Sequence, residues 1–115
     1  MTQLLGKDQH TYKPVPDWAN LPPELVLGDV AGIAVDDKDR VYLFNRGSTP
    51  IVVLSKNGDV LSTWGQGIFE NPHGASIGPD QCIYLTDNFN HTIRKFTLDG
   101  TLLLEIGRAS CRERV

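Results

Sequence analysis

The 115-residue chain has two cysteines, Cys82 and Cys111, too few for the disulfide framework of a small secreted domain. It has no apolar run near the roughly 18 residues that a membrane span needs. Its first residues, MTQLLGKDQHTYKP, lack the apolar stretch of a signal peptide. These absences set the expectation of a cytoplasmic protein that engages no membrane. A basic excess is also missing. The formal net charge is −3, which opposes a nucleic-acid surface built from clustered Lys and Arg. No segment predicts a helix longer than a turn. What is present is ordinary for a globular chain: 40% hydrophobic and 22% charged residues, with length for one small domain and a modest core.

The ending departs from the rest. IGRASCRERV is basic, with neither strand alternation nor a turn signal. Back-translated as ATC GGA AGA GCG TCG TGT AGG GAA AGA GTG, it resembles a common sequencing-library adapter. Residues 108–115 are therefore read as an artefactual tail, and the native chain is expected to be cut off near Ile106. Removing that tail takes away three arginines and one glutamate, so the net charge moves from −3 to −5. Cys82 then has no partner cysteine.

Self-comparison is the most informative step. GIAVDDKDRVYLFNRGSTPIVVLSKNGDVLSTWG, from Gly32 to Gly65, aligns without a gap on GASIGPDQCIYLTDNFNHTIRKFTLDGTLLLEIG, from Gly74 to Gly107, at an offset of 42. Identical pairs include Gly32/Gly74, Tyr42/Tyr84, Leu43/Leu85, Ile51/Ile93, Gly58/Gly100 and Leu61/Leu103. Each unit reads as four short strands. In the first unit they are expected near Val30–Val35, Arg40–Phe44, Ile51–Ser55 and Val60–Trp64. Asn57-Gly58 and Asp99-Gly100 predict two-residue hairpin turns with positive φ at both central residues.

Four strands in a period of about 40–45 residues are the mark of a propeller blade. The predicted class is all-β: a β-propeller of four-stranded blades, about two of them present and cut from a larger closed ring. The divisions are a lead-in segment over 1–27, a first blade over 28–67, a second over 68–107, and the tail over 108–115. The lead-in, with PVPDW and NLPPE, is Pro-rich. It either runs along the outside or supplies a strand that closes the ring. Two blades leave apolar faces and strand edges open, so the fragment is expected to self-associate through them.

The units resemble NHL repeats: a Gly at the inner strand, VYL or IYL on the second, an apolar third strand, Asp/Asn-Gly and a closing Gly, a resemblance that implies a six-bladed β-propeller from which the chain is truncated. More narrowly, GIAVDDKDRVYLFNRG, NPHGASIG and LTDNFNHTIRKF resemble the bacterial relatives of peptidyl-α-hydroxyglycine α-amidating lyase. That resemblance implies a lyase that splits a C-terminal α-hydroxyglycine into a peptide amide and glyoxylate. The substrate would be a small molecule or peptide. It implies a channel zinc held by three histidines and a nearby calcium held by backbone carbonyls. His73 matches one zinc ligand, Arg46 the catalytic arginine, and Ile33 and Ala75 the calcium-binding carbonyls. The other histidines and a catalytic tyrosine would lie in later blades, so the fragment itself is expected to be inactive. Neutral imidazole suits zinc, and a guanidinium can clamp a carboxylate with two parallel bonds.

Plainer readings stand beside these. A histidine beside Pro and Gly also fits a turn, and Arg46 in FNRGSTP also fits a solvated loop. Asp87 is expected to accept backbone N–H bonds after its strand, and His91 to lie in a surface turn. Asn90-His91-Thr92 fits a glycosylation triplet by chance. Trp18 and Trp64 are expected to pack, and Cys82 has no base beside it. Two other functions use the same fold: a non-catalytic propeller that binds a protein or small ligand, and a sugar-lactone hydrolase with carboxylates and Asn around a divalent metal.

Overall fold

The protein is described from a computed structural model that covers residues 4–107. The tail over 108–115, with Cys111, lies outside the described residues. Ten strands are present, and no described residue is helical. A small hairpin pairs β1 (Leu5–Lys7) with β2 (His10–Tyr12). Two four-stranded antiparallel sheets follow. The first runs β3 (Val30–Val35), β4 (Val41–Asn45), β5 (Ile51–Leu54), β6 (Val60–Trp64). The second runs β7 (Pro72–Ile77), β8 (Cys82–Asp87), β9 (Thr92–Thr97), β10 (Leu102–Gly107). Each sheet is an up-and-down meander, and the pair packs as part of a β-propeller does.

The hairpin turns differ from the two-residue expectation. Gly58 has φ 90° and Gly100 has φ 99°, but neither Asn57 nor Asp99 has positive φ. The Gly58 N–H donates to the Ser55 carbonyl (2.9 Å), and the Ser55 N–H donates to the Asp59 carbonyl (2.8 Å). That is a three-residue loop, a tight turn followed by one left-handed residue, and the register shifts beside it. Glycine carries the left-handed position at low steric cost. A side chain at Gly58 would also collide with the Trp18 carbonyl.

Alternation along each strand builds two cores. On one face of the first sheet, Tyr42, Phe44, Ile51 and Val53 pack with Ile83, Leu85 and Phe96 of the second. Phe69 links them, with ring centroids 4.8 Å from Phe44 and 6.0 Å from Phe96. On the other face, Leu43, Val52 and Leu54 pack under Trp18, Leu21, Leu25 and Leu27 of the lead-in segment. The Trp18 indole N–H donates to the Lys56 carbonyl (3.0 Å), and the Asn20 N–H donates to the Gly58 carbonyl (2.8 Å). The lead-in thus lies along the first sheet, and both tryptophans pack, Trp64 at 5.0 Å from Phe96. Its β1–β2 hairpin, with left-handed Gly6 and Asp8, was not anticipated from the Pro-rich sequence.

The first strands of the two sheets, β3 and β7, run side by side. Gly32 makes this possible: a Cβ there would sit 2.8 Å from the Ala75 nitrogen. The missing side chain lets the two backbones approach.

Candidate functional site

His73 stands at the start of β7, within a register shift. Pro72 opposes Asp87 and Gly74 opposes Thr86, which leaves His73 as the extra residue of a β-bulge. A bulge interrupts the pleat and re-aims its side chain, and His73 is exposed. The first sheet has the same bulge between Val30 and Gly32, where Ala31 is the counterpart.

Three contacts fix the histidine's peptide. The Gly74 N–H donates to the Thr86 hydroxyl oxygen (2.7 Å). The Arg46 Nε–H donates to the Pro72 carbonyl (2.9 Å). The Asp87 carboxylate accepts from the N–H groups of Glu70 (2.6 Å) and Asn71 (3.0 Å), just before Pro72. It also accepts from the Phe89 N–H (3.1 Å), as expected of an Asx residue at a strand end. Burial opposes the charge on Asp87, but these backbone donors outweigh it and hold the carboxyl below its ordinary value of 3.8. The buried Arg94 lies 4.0 Å from Asp87, donates to Glu105 (2.8 Å), and sits over the Phe69 ring.

Arg46 follows β4, and its own N–H donates to the Asp29 carbonyl (2.9 Å). Its side chain is exposed, with Nε committed to Pro72. Only the two terminal nitrogens are left to meet a carboxylate, so the guanidinium offers its end rather than its Nε edge. One carbonyl therefore joins two residues singled out in the sequence, Arg46 and His73. Ile33 and Ala75 lie on β3 and β7, and Gly32 packs directly on Ala75. His91 is exposed in the β8–β9 turn with φ 55°.

Among the described residues, no three His, Cys, Asp or Glu side chains converge to hold a metal. His73 suits zinc as a single ligand, but one imidazole falls short of the three protein ligands of a catalytic zinc. The described residues therefore do not fit a complete zinc centre.

Two features escaped the sequence reading. Thr86 pins the bulge, and its signal was a mismatch in the repeat, since the first unit has Phe44 there. Asp36 accepts from the Arg40 N–H (2.9 Å), Arg40 Nε (2.6 Å) and the Tyr42 hydroxyl (2.9 Å). In the second sheet Asp80, two turn positions later than Asp36, takes the equivalent Tyr84 hydroxyl (3.0 Å) and pairs with Lys95.

The class of molecule is thus an all-β, propeller-like pair of sheets with a histidine on β7 and an arginine after β4 joined at the Pro72 carbonyl. No family model matches the chain. It is similar over 93% of its length, at 29% identity, to peptidyl-glycine alpha-amidating monooxygenase B of Xenopus laevis, of which it covers 15%. The Rattus norvegicus peptidylglycine alpha-amidating monooxygenase is 27% identical over 81% of the chain, which covers 12% of it. The peptidyl-alpha-hydroxyglycine alpha-amidating lyase 1 of Drosophila melanogaster is 34% identical over 56% of the chain, which covers 12% of it. The chain is thus similar to peptidylglycine-amidating enzymes at 27–34% identity and spans 12–15% of the length of these three.

Proposed function

We propose that the chain forms two sheets of a lyase-type propeller that cleaves a C-terminal α-hydroxyglycine into a peptide amide and glyoxylate, and that the chain alone is inactive. The observation that carries this reading is the junction at Pro72. An arginine from the neighbouring sheet is held there on the carbonyl of the peptide that leads into the exposed, bulged His73. The similarity to amidating enzymes supports it. In this reading His73 contributes one imidazole to zinc, the terminal nitrogens of Arg46 receive the substrate carboxylate, and the carbonyls of Ile33 and Ala75 contribute to calcium.

The test is glyoxylate release from a peptide ending in α-hydroxyglycine. The 115-residue chain is expected to release none above the uncatalysed rate. A longer protein that carries these two sheets is expected to release it, and Arg46→Ala to lower kcat/KM by about 100-fold or more, the scale for losing a charge-stabilising donor. Stoichiometric zinc with lyase activity in the 115-residue chain would overturn the division of the site. Full activity in Arg46→Ala would remove that residue from it.

A further inference from the structure

The 42-residue repeat relates faces as well as strands. On the first sheet, Ala34, Tyr42, Phe44, Ile51 and Val53 form the face that receives the second sheet. Their counterparts one repeat later are Ser76, Tyr84, Thr86, Ile93 and Lys95. The register adds Leu104 and Ile106 to this second face, opposite Lys95 and Ile93. Among the described residues nothing covers it, and Ile93, Leu104 and Ile106 are each 45% exposed. Lys95 does not stand clear of the face: it pairs with Asp80 (3.0 Å) and lies over the Tyr84 ring.

The surface that fits this face follows from the same repeat. The second sheet docks on the first through Ile83, Leu85 and Phe96. Their counterparts are Val41, Leu43 and Leu54, on the opposite face of the first sheet. That surface is occupied by the lead-in, through Trp18, Leu21, Leu25 and Leu27. The lead-in side chains are only partly buried, and the polar ties of Trp18 and Asn20 are exposed. A strap held this way opens more easily than a sheet.

We infer that copies of this chain dock head to tail. The Tyr84–Ile93–Ile106 face of one copy receives the Leu43–Val52–Leu54 face of the next, repeating the contact already made between the two sheets. The lead-in segment competes for the second surface and holds the association weak. Such a contact is heterologous, so it adds copies in a row rather than closing a two-fold dimer. This inference stands independently of the lyase reading, since it uses neither His73 nor Arg46.

Sedimentation equilibrium of the 115-residue chain tests it, with Trp18→Ala to loosen the lead-in and Ile93→Glu to charge the open face. Trp18→Ala is expected to tighten self-association by about tenfold or more, with species larger than dimers at high concentration. Ile93→Glu is expected to abolish association in both backgrounds while leaving the thermal midpoint of the monomer unchanged. Leu21→Ala serves the same purpose if Trp18→Ala folds poorly. A synthetic peptide of residues 16–27 is expected to reverse the tightening. The inference is overturned by a monomer in every variant, by association that survives Ile93→Glu, or by a closed dimer indifferent to both lead-in variants.

Discussion

The two sheets close the same corner with different chemistry. In the first, the Asn45 carboxamide oxygen accepts from the Gly28 (3.0 Å) and Gly47 (2.8 Å) N–H groups, and its nitrogen donates to the Thr49 (2.8 Å) and Pro50 (3.2 Å) carbonyls. Every partner is neutral, and the next strand carries Val52. In the second, Asp87 stands at the equivalent position and accepts from Glu70, Asn71 and Phe89. Arg94 replaces Val52, and Glu105 then pairs with Arg94. The amide satisfies its corner by itself. The carboxylate brings a buried guanidinium with it, and that guanidinium brings a third charged residue. The backbone N–H groups demand an acceptor at this corner in both sheets, while the rest of the solution is free to vary.

The sharpest break of this comparison is Asp87→Asn. It removes the charge 4.0 Å from the buried Arg94 Nη1 while the Glu105 bond remains, and is expected to cost about 2 kcal/mol, less than a fully broken buried pair. Adding Arg94→Val recasts the second corner in the image of the first and is expected to recover all but about 1 kcal/mol. Urea midpoints at constant m measure both. A double variant no more stable than Asp87→Asn would contradict the ion-pair account.

A comparable effect separates the faces. Ile51 is 0% exposed and its repeat counterpart Ile93 is 45% exposed. Ile51→Ala is expected to lose about 2–5 kcal/mol, and Ile93→Ala less than about 1 kcal/mol at concentrations where the chain is monomeric. Equal losses would mean that the two faces are equally covered in solution.

Next come the inner-strand glycines. In Gly32→Ala the new methyl meets the Ala75 backbone at 2.8 Å, so overpacking is expected to cost about 1–3 kcal/mol. In Gly74→Ala the nearest atom is the Thr86 hydroxyl oxygen at 3.0 Å, which must give by a few tenths of an ångström against the bond that pins the bulge, and the expected loss is about 1 kcal/mol. Thermal melts of the two variants compare them directly.

The smallest effect concerns pH. At Asp36, burial opposes the charge, but hydrogen bonds from Arg40, Lys38 and Tyr42 outweigh it. Both Asp36 and Asp87 are held below the ordinary 3.8. A depressed carboxyl stabilises the fold above its unfolded pKa and loses that contribution as pH falls through the folded one. Stability is therefore expected to decline below about pH 4, and the Asp87→Asn/Arg94→Val variant to decline less steeply. Urea titrations at pH 6 and pH 3 read this difference, and identical slopes would take Asp87 out of the acid limb.

Much of the architecture was legible because the repeat is regular. Glycines, VYL and IYL segments and turn signals recur at one offset, and apolar alternation sets the strands. The turn signal points to the left-handed residue at Gly58 but implies a loop one residue shorter than the observed one. Asn-Gly serves both a two-residue loop and a three-residue one, and strand register decides between them. Asp87 was read as an N–H acceptor from its place after a strand, which is a local pattern. Thr86, the Arg46–Pro72 contact and the Asp36 cluster were not legible. Contacts that join separate strands or sheets follow from how the chain packs, and periodicity says nothing about them. That Trp18 packs was legible, but the strands that it and Leu21 cover are set by tertiary contact in the same way.

In the proposed reading His73 is one ligand of a metal centre whose other ligands lie outside the described residues. The direct test of that reading is the zinc content and zinc affinity of the longest protein that carries this chain, with and without His73→Ala. The account predicts stoichiometric zinc in the parent and an affinity loss of about 100-fold or more in the variant, beyond what removing an outer-shell contact does. Unchanged zinc content in His73→Ala would contradict it.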